Sequence, residues 1–314
     1  MRGRRESLLF FISLGLFSPF LQANARGVTD QLGRSVQLVD QPTRIVATAP
    51  SLAELVADFV GADLKRLVGV TEYSDHPPRL KQVTSVGPYH QLNLEKIRSL
   101  KPDLVLATTD GNSKDQIDHL IEIGLPVVVV STRSFEEIAI AMQTVGASLG
   151  ESEAGKRMAS QFVTGVQRIR ERAKSRTEQP RVLLQVGEDP LVVAGGASFL
   201  NQTVAVLGAR NVYADSEFPY PRPSLEDVVS RNPEVILIFT LGADVKPNLA
   251  SLKHWSEMKR LAATQKGNLH IIQGDSVVRP TLRLLEGLGL LERAIFGETQ
   301  ATKKQKSEKA ASGK

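Results

Sequence analysis

The sequence predicts an α/β protein of two Rossmann-like lobes joined by a single long backbone helix. Three observations carry that expectation. Short apolar runs rich in Val, Ile and Leu alternate with helical patterns, as strands buried on both faces of parallel sheets read. Residues 151–176 hold one unbroken amphipathic pattern near the middle of the chain. A strand–helix unit recurs on either side of it, LEKIRSLKPDLVL at 94–106 and LEDVVSRNPEVIL at 225–237, at a constant offset of 131 residues.

Taken in order, residues 1–25 have the layout of a secretory signal peptide. Arg2, Arg4 and Arg5 precede an apolar stretch from 8 to 21, and Ala23-Asn24-Ala25 supplies a small-x-small cleavage site. The stretch is short and holds Ser13, Gly15, Ser18 and Pro19, so it reads poorly as a membrane span. The expected location is the periplasm, with cleavage after about Ala25. The first lobe is expected over 26–150, with strands at 44–48, 67–70, 104–107 and 127–130. Helices are expected at 51–60, 114–123 and 135–149. Ser51 followed by Glu54 reads as a capping box opening the first of them. Between 151 and 178 lies the connecting helix, with Met158, Phe162, Val166 and Ile169 on one stripe. The second lobe is expected over 179–298, with strands at 181–185, 235–239 and 269–272. Asn93 and Ser224 stand at matching N-cap positions of the repeated unit. The Lys-rich end, 299–314, has no apolar periodicity and is expected to be disordered.

The formal charge of +5 is concentrated at the two ends. The first 25 residues contribute +2 and the last 14 contribute +4, which leaves the body at −1. A nucleic-acid binder needs its basic surplus on the folded body, so nucleic acid is excluded as a partner. The absence of cysteine excludes disulfides, thiolate metal sites, a cysteine nucleophile and a lipoprotein anchor. No G-x-S-x-G, H-E-x-x-H or G-x-G-x-x-G occurs. Gly150 to Lys156 looks like a phosphate loop, but Arg157 stands where Ser or Thr must follow the lysine. The five histidines show no ligand spacing, and neither a catalytic constellation nor a metal site is expected.

The aromatic residues are placed differently. The chain has four Tyr and one Trp. Tyr73 (EYSDHPP), Tyr89 (GPYHQLN) and Tyr220 (FPYPRP) lie in proline-rich loops that follow expected strands. Braced loops presenting phenols suit an aromatic-walled ligand cleft between two lobes. Trp255, in LKHWSEMKRL, reads as core or interlobe packing.

At this point the residues carry a resemblance. VTDQLGRSVQL, RIVATAPSLAEL, GVTEYSDHPP, NLEKIRSLKPDLVLA, the connecting helix and SLEDVVSRNPEVILI resemble the helical-backbone class of periplasmic solute-binding proteins of ABC importers, over residues 27–297. EYSDHPP with DGNSKDQIDHLIEIGLPV is most similar to the cobalamin-binding members. The resemblance implies a non-enzymatic monomer with no resident cofactor. It implies cobalamin or a related corrinoid as the bound ligand and a permease dimer of the inner membrane as partner. Tyr73, Tyr89 and Tyr220 match ligand-contacting aromatics, and Asp275 and Arg279 match an acid and a base spaced four apart. Glu95 and Glu226 match the two lobe-surface glutamates that dock on the permease. Two positions where Trp is expected carry Tyr, and Val186 stands where an aromatic can line the site. His90, beside Tyr89, is a candidate axial ligand to cobalt or haem iron. A corrin is a broad plate rimmed with amides, and Asp275 and Arg279 can accept from and donate to them. Haem or a ferric siderophore, met by Arg222, Arg279 and Arg283, remains open as the ligand, and so does a two-lobed periplasmic enzyme.

Overall fold

A computed structural model describes residues 25–61, 64–240, 248–273 and 275–297. Apart from Ala25, the expected leader lies outside the described residues, as does the basic tail 299–314.

The described chain opens with an antiparallel hairpin, β1 (Ala25–Thr29) and β2 (Ser35–Val39), which the sequence reading did not anticipate. Its turn is organised by Asp30, whose carboxylate accepts from the backbone N–H groups of Leu32 and Arg34 and from the Arg34 side chain. The same carboxylate takes the Val129 amide at 3.2 Å, which ties the hairpin to the first sheet.

That sheet is wholly parallel, in the order β4-β3-β5-β6. Its strands are β3 (Ile45–Ala47), β4 (Leu67–Val70), β5 (Leu104–Thr108) and β6 (Val127–Val130). Every residue of β3, β5 and β6 is buried, as unalternating apolar runs require. Helices α1 (Pro50–Val60), α2 (Leu94–Ser99), α3 (Lys114–Glu122) and α4 (Phe135–Ser148) complete the lobe. The second sheet runs β11-β10-β7-β8, with β9 paired parallel to β7. Its strands are β7 (Arg181–Gly187), β8 (Val192–Val193), β9 (Arg210–Asn211), β10 (Val235–Thr240) and β11 (Leu269–Gln273). Helices α6 (Phe199–Val206), α7 (Leu225–Arg231), α8 (Leu249–Glu257), α9 (Ala262–Lys266) and α10 (Leu284–Phe296) surround it. The sequence repeat is visible in the topology, because α2–β5 and α7–β10 occupy matching places. β3-β5-β6 and β7-β10-β11 follow the same order, each with a parallel strand, β4 or β9, outside the first.

Between the lobes runs α5 (Ser152–Ala173), 22 residues or about 33 Å of helix. Its buried stripe is Gly155, Ala159, Phe162, Val166, Ile169 and Ala173, three or four residues apart. At its start Gly155 meets Gly146 of α4 backbone to backbone, since a methyl group on Gly146 would fall 2.7 Å from Gly155 Cα. This helix junction is what the phosphate-loop-like stretch 150–156 forms. Further along, Phe162 meets Phe135 edge to face at 5.9 Å. At its end Arg172 and Arg176, the latter in the turn just beyond, both bind Glu292 of α10. The helix thus touches elements of both lobes.

One expectation is corrected, and one of two alternatives is decided. Helix α1 begins at Pro50 after Ala49, with no side-chain cap, so Ser51 and Glu54 form no capping box. Glu54 is instead wholly buried. Trp255 belongs to the core of the second lobe, where its indole donates to Gln185 Oε1 at 2.6 Å.

Candidate functional site: a cleft between two lobes

The loops that follow the C-terminal ends of β4 and β11 meet across the lobes, and open α/β sheets bind ligands in the space at such strand ends. On one side of this space the loop after β4 meets the loop before α10. On the other, Tyr89 and the loop after β5 lie within electrostatic reach of Tyr220 from the second lobe.

The first side is an ionic seam across the lobes. Glu54 of α1 accepts a hydrogen bond from Thr281 Oγ1 at 2.6 Å and from Arg283 Nη1 at 2.9 Å. Arg279 donates through Nη2 to the Tyr73 carbonyl and to Asp75 Oδ1, each at 2.6 Å. The same nitrogen lies 2.5 Å from Asp275 Oδ2. Arg279 Nη1 is buried without a hydrogen bond and stands 3.8 Å from Glu54 Oε2. Two guanidinium groups of the second lobe are therefore shared among three carboxylates, two of them from the first. Burial and the two arginines hold His76 below the ordinary imidazole range, and Glu54 and Asp75 offset this only in part. Asp275 and Arg279, each 6% exposed, lie together within this seam. Glu54 was missed as a site residue. Its partners lie more than 220 residues away, and a buried acid one turn into a helix looks like any first-turn acid.

The second side is aromatic. Tyr89 packs on Gly111, where a methyl group would fall 2.4 Å from Tyr89 Cε2. The Asn112 amide fixes the loop by donating to the Tyr89 carbonyl at 2.7 Å and to the Thr48 carbonyl at 2.8 Å. Tyr220 arrives from the second lobe on a segment whose carbonyls at Pro219 and Pro221 accept from Gly195 and Val193. Burial pushes the Tyr220 phenol up to about 12, and the Asp110 charge and Tyr89 phenol of the first lobe add to the shift. The Tyr220 phenol thus lies within electrostatic reach of Tyr89 and Asp110 of the other lobe. Tyr73 is 63% exposed and holds a left-handed backbone, φ 64°, an uncommon conformation for an aromatic residue. Phe218 extends this exposed aromatic set and was not singled out from sequence.

His90 is exposed and meets the Tyr89 ring edge to face at 5.5 Å. Among the described residues no group of His, Asp or Glu is arranged to hold a metal ion. The repeat leaves a further mark. Thr109, just past the end of β5, and Thr240, the last residue of β10, are offset by 131 and carry hydroxyls that are buried and have no hydrogen-bond partner.

Glu95 and Glu226 are exposed in the first turns of α2 and α7. Asn93 and Ser224 cap those helices through Lys96 N–H and Asp227 N–H, as expected. The Glu226 carboxyl is held below its ordinary range by its own backbone N–H and by Ser224.

Comparison with known proteins places this geometry. A family model described as periplasmic binding protein matches residues 45–275. A vitamin B12-binding protein of Yersinia pestis is 32% identical over 225 residues, covering 72% of this chain and 78% of the relative. Among solved structures, the periplasmic vitamin B12 binding protein of Vibrio cholerae superposes with a TM-score of 0.70 at 28% identity. That match covers 81% of this chain and 96% of the other. A periplasmic heme binding protein of Pseudomonas aeruginosa gives a TM-score of 0.69 at 25% identity, covering 82% of this chain and 94% of the other.

Proposed function

Because the chain belongs to the periplasmic binding protein family, matched over residues 45–275, we propose that it captures cobalamin or a related corrinoid between its lobes and delivers it to the permease of an ABC importer. Binding is its whole task, with no bond made or broken and no resident cofactor, and a single copy suffices for it. Export follows from the leader, removed after about Ala25.

The observation that carries the ligand is the pairing of Tyr89 and Tyr220 from opposite lobes, with Tyr73 exposed at the other side. Such walls suit a broad plate, whose faces bury against rings while its rim meets polar groups. The vitamin B12 relatives point to the same class. Arg279 Nη1 makes no hydrogen bond but is buried in the seam 3.8 Å from Glu54, so a rim amide reaches it only where the seam opens. The seam also weighs against an anionic siderophore. Arg279 and Arg283 already face Glu54, Asp75 and Asp275, which leaves Arg222 as the one arginine of the three outside that seam. Haem is the second reading, favoured by exposed His90 beside Tyr89, a possible axial ligand.

The test is titration of the purified chain and its Tyr73→Ala, Tyr89→Ala and Tyr220→Ala variants with cyanocobalamin, followed by Trp and Tyr fluorescence. Each substitution is expected to weaken binding by about 1–2 kcal/mol, the scale of an aromatic contact. Unchanged affinity in all three variants rejects the aromatic walls as the site. A Soret shift on adding haemin, absent in His90→Ala, selects the second reading.

A further inference from the structure

Asp110, in the loop after β5, adjoins the glycine on which Tyr89 packs and acts electrostatically on Tyr220 of the other lobe. Its Oδ2 accepts from the Thr132 backbone N–H at 2.6 Å and from Thr132 Oγ1 at 2.9 Å, and its Oδ1 accepts from Arg133 Nε at 2.9 Å. Its own N–H is fixed by Thr108 Oγ1 at 3.2 Å. The carboxylate is therefore held in one place, yet its side chain is 26% exposed. A carboxylate oxygen has two acceptor positions, so Oδ1 retains one. The adjacent Gly111 is the seat of the Tyr89 ring. From the opposite lobe Tyr220 comes near enough for the Asp110 charge to act on its phenol. Asp110 opens the DGNSKDQ segment that carries part of the resemblance, which gave it no role.

We propose that Asp110 is a specificity-determining residue of the cleft, which accepts a hydrogen bond from an amide on the rim of a planar ligand and rejects a ligand carrying a carboxylate at that place. The inference rests on the corrinoid reading and sharpens it. An amide N–H meets the free acceptor position with favourable sign, whereas a carboxylate offers only lone pairs and a like charge. Between two phenol walls that repulsion is less screened than in water. Arg133 offsets it only in part, because its side chain is 61% exposed.

The test uses cyanocobalamin and its three singly hydrolysed propionamide isomers, each carrying one carboxylate in place of one amide, titrated into the full chain. For the isomer whose acid falls beside Asp110, the wild type is expected to prefer the parent amide by about tenfold or more. Asp110→Asn keeps the shape and removes the charge, and is expected to abolish most of that preference for that isomer. Arg133→Gln keeps Asp110 and removes its counter-charge, and is expected to enlarge the preference. A preference unmoved by Asp110→Asn for every isomer overturns the inference, as does a shift of both variants in the same direction. Failure of the wild type to bind cyanocobalamin at all removes the corrinoid reading and this inference with it. Binding with unmoved preferences removes only the inference.

Discussion

Glu54 shows how much one side chain can decide at the interface of the lobes. A carboxylate with no solvent exposure is tolerable only when paired and hydrogen-bonded, and Thr281 and Arg283 supply both. Its charge is felt one turn on, at Asp58. Burial, then the Glu54 charge, push the Asp58 carboxyl up to about 6, against the pull of Arg283 and Arg79. Folding thus favours protonated Asp58. Its neutral form supports the fold below about pH 4, and that support is lost as pH rises through about 6. Asp58→Asn is therefore expected to raise the melting temperature above wild type at pH 7, and the gain should vanish below about pH 4. A gain that is the same at both pH values contradicts the assignment. None of this could be read from the residues alone, because the acid was legible while its distant partners were not.

At the scale of elements, the buried strands and the connecting helix were the most legible features. Runs such as VVVV at β6 have no polar position to offer solvent, and the buried stripe of α5 contains Phe162, Val166 and Ile169 of the pattern that marked it, while Met158 is only half-buried. The β1–β2 hairpin was less legible, because five-residue strands of mixed polarity carry only a weak alternation. Two-residue β8 and β9 exist through pairing with β7 and have no pattern of their own. The seam between α1 and the loop before α10 belongs at this scale, since it joins elements whose meeting is set by the whole fold. Glu54→Gln leaves Arg283 and Arg279 facing fewer charges in a buried place, and is expected to cost about 3–5 kcal/mol of unfolding free energy by denaturant titration. A loss below about 1 kcal/mol would show that the seam contributes no more than a surface pair.

For the molecule as a whole, the repeat is the organising fact. It places α2–β5 and α7–β10 equivalently, with Glu95 and Glu226 exposed at matching helix starts on the two lobes. A pseudo-twofold protein can present such a pair to a twofold partner at once. Glu95→Arg with Glu226→Arg is expected to leave corrinoid affinity intact while abolishing association with the cognate permease in detergent or nanodiscs. Normal association of the double variant removes the docking role. The central claim is that this cleft holds a corrinoid, and the most direct measurement is calorimetric titration of the chain from Arg26 with cyanocobalamin. One ligand per chain with sub-micromolar affinity, about −8 kcal/mol or stronger, is the expected result. No heat and no spectral change with cyanocobalamin, alongside stoichiometric binding of haemin, would contradict it.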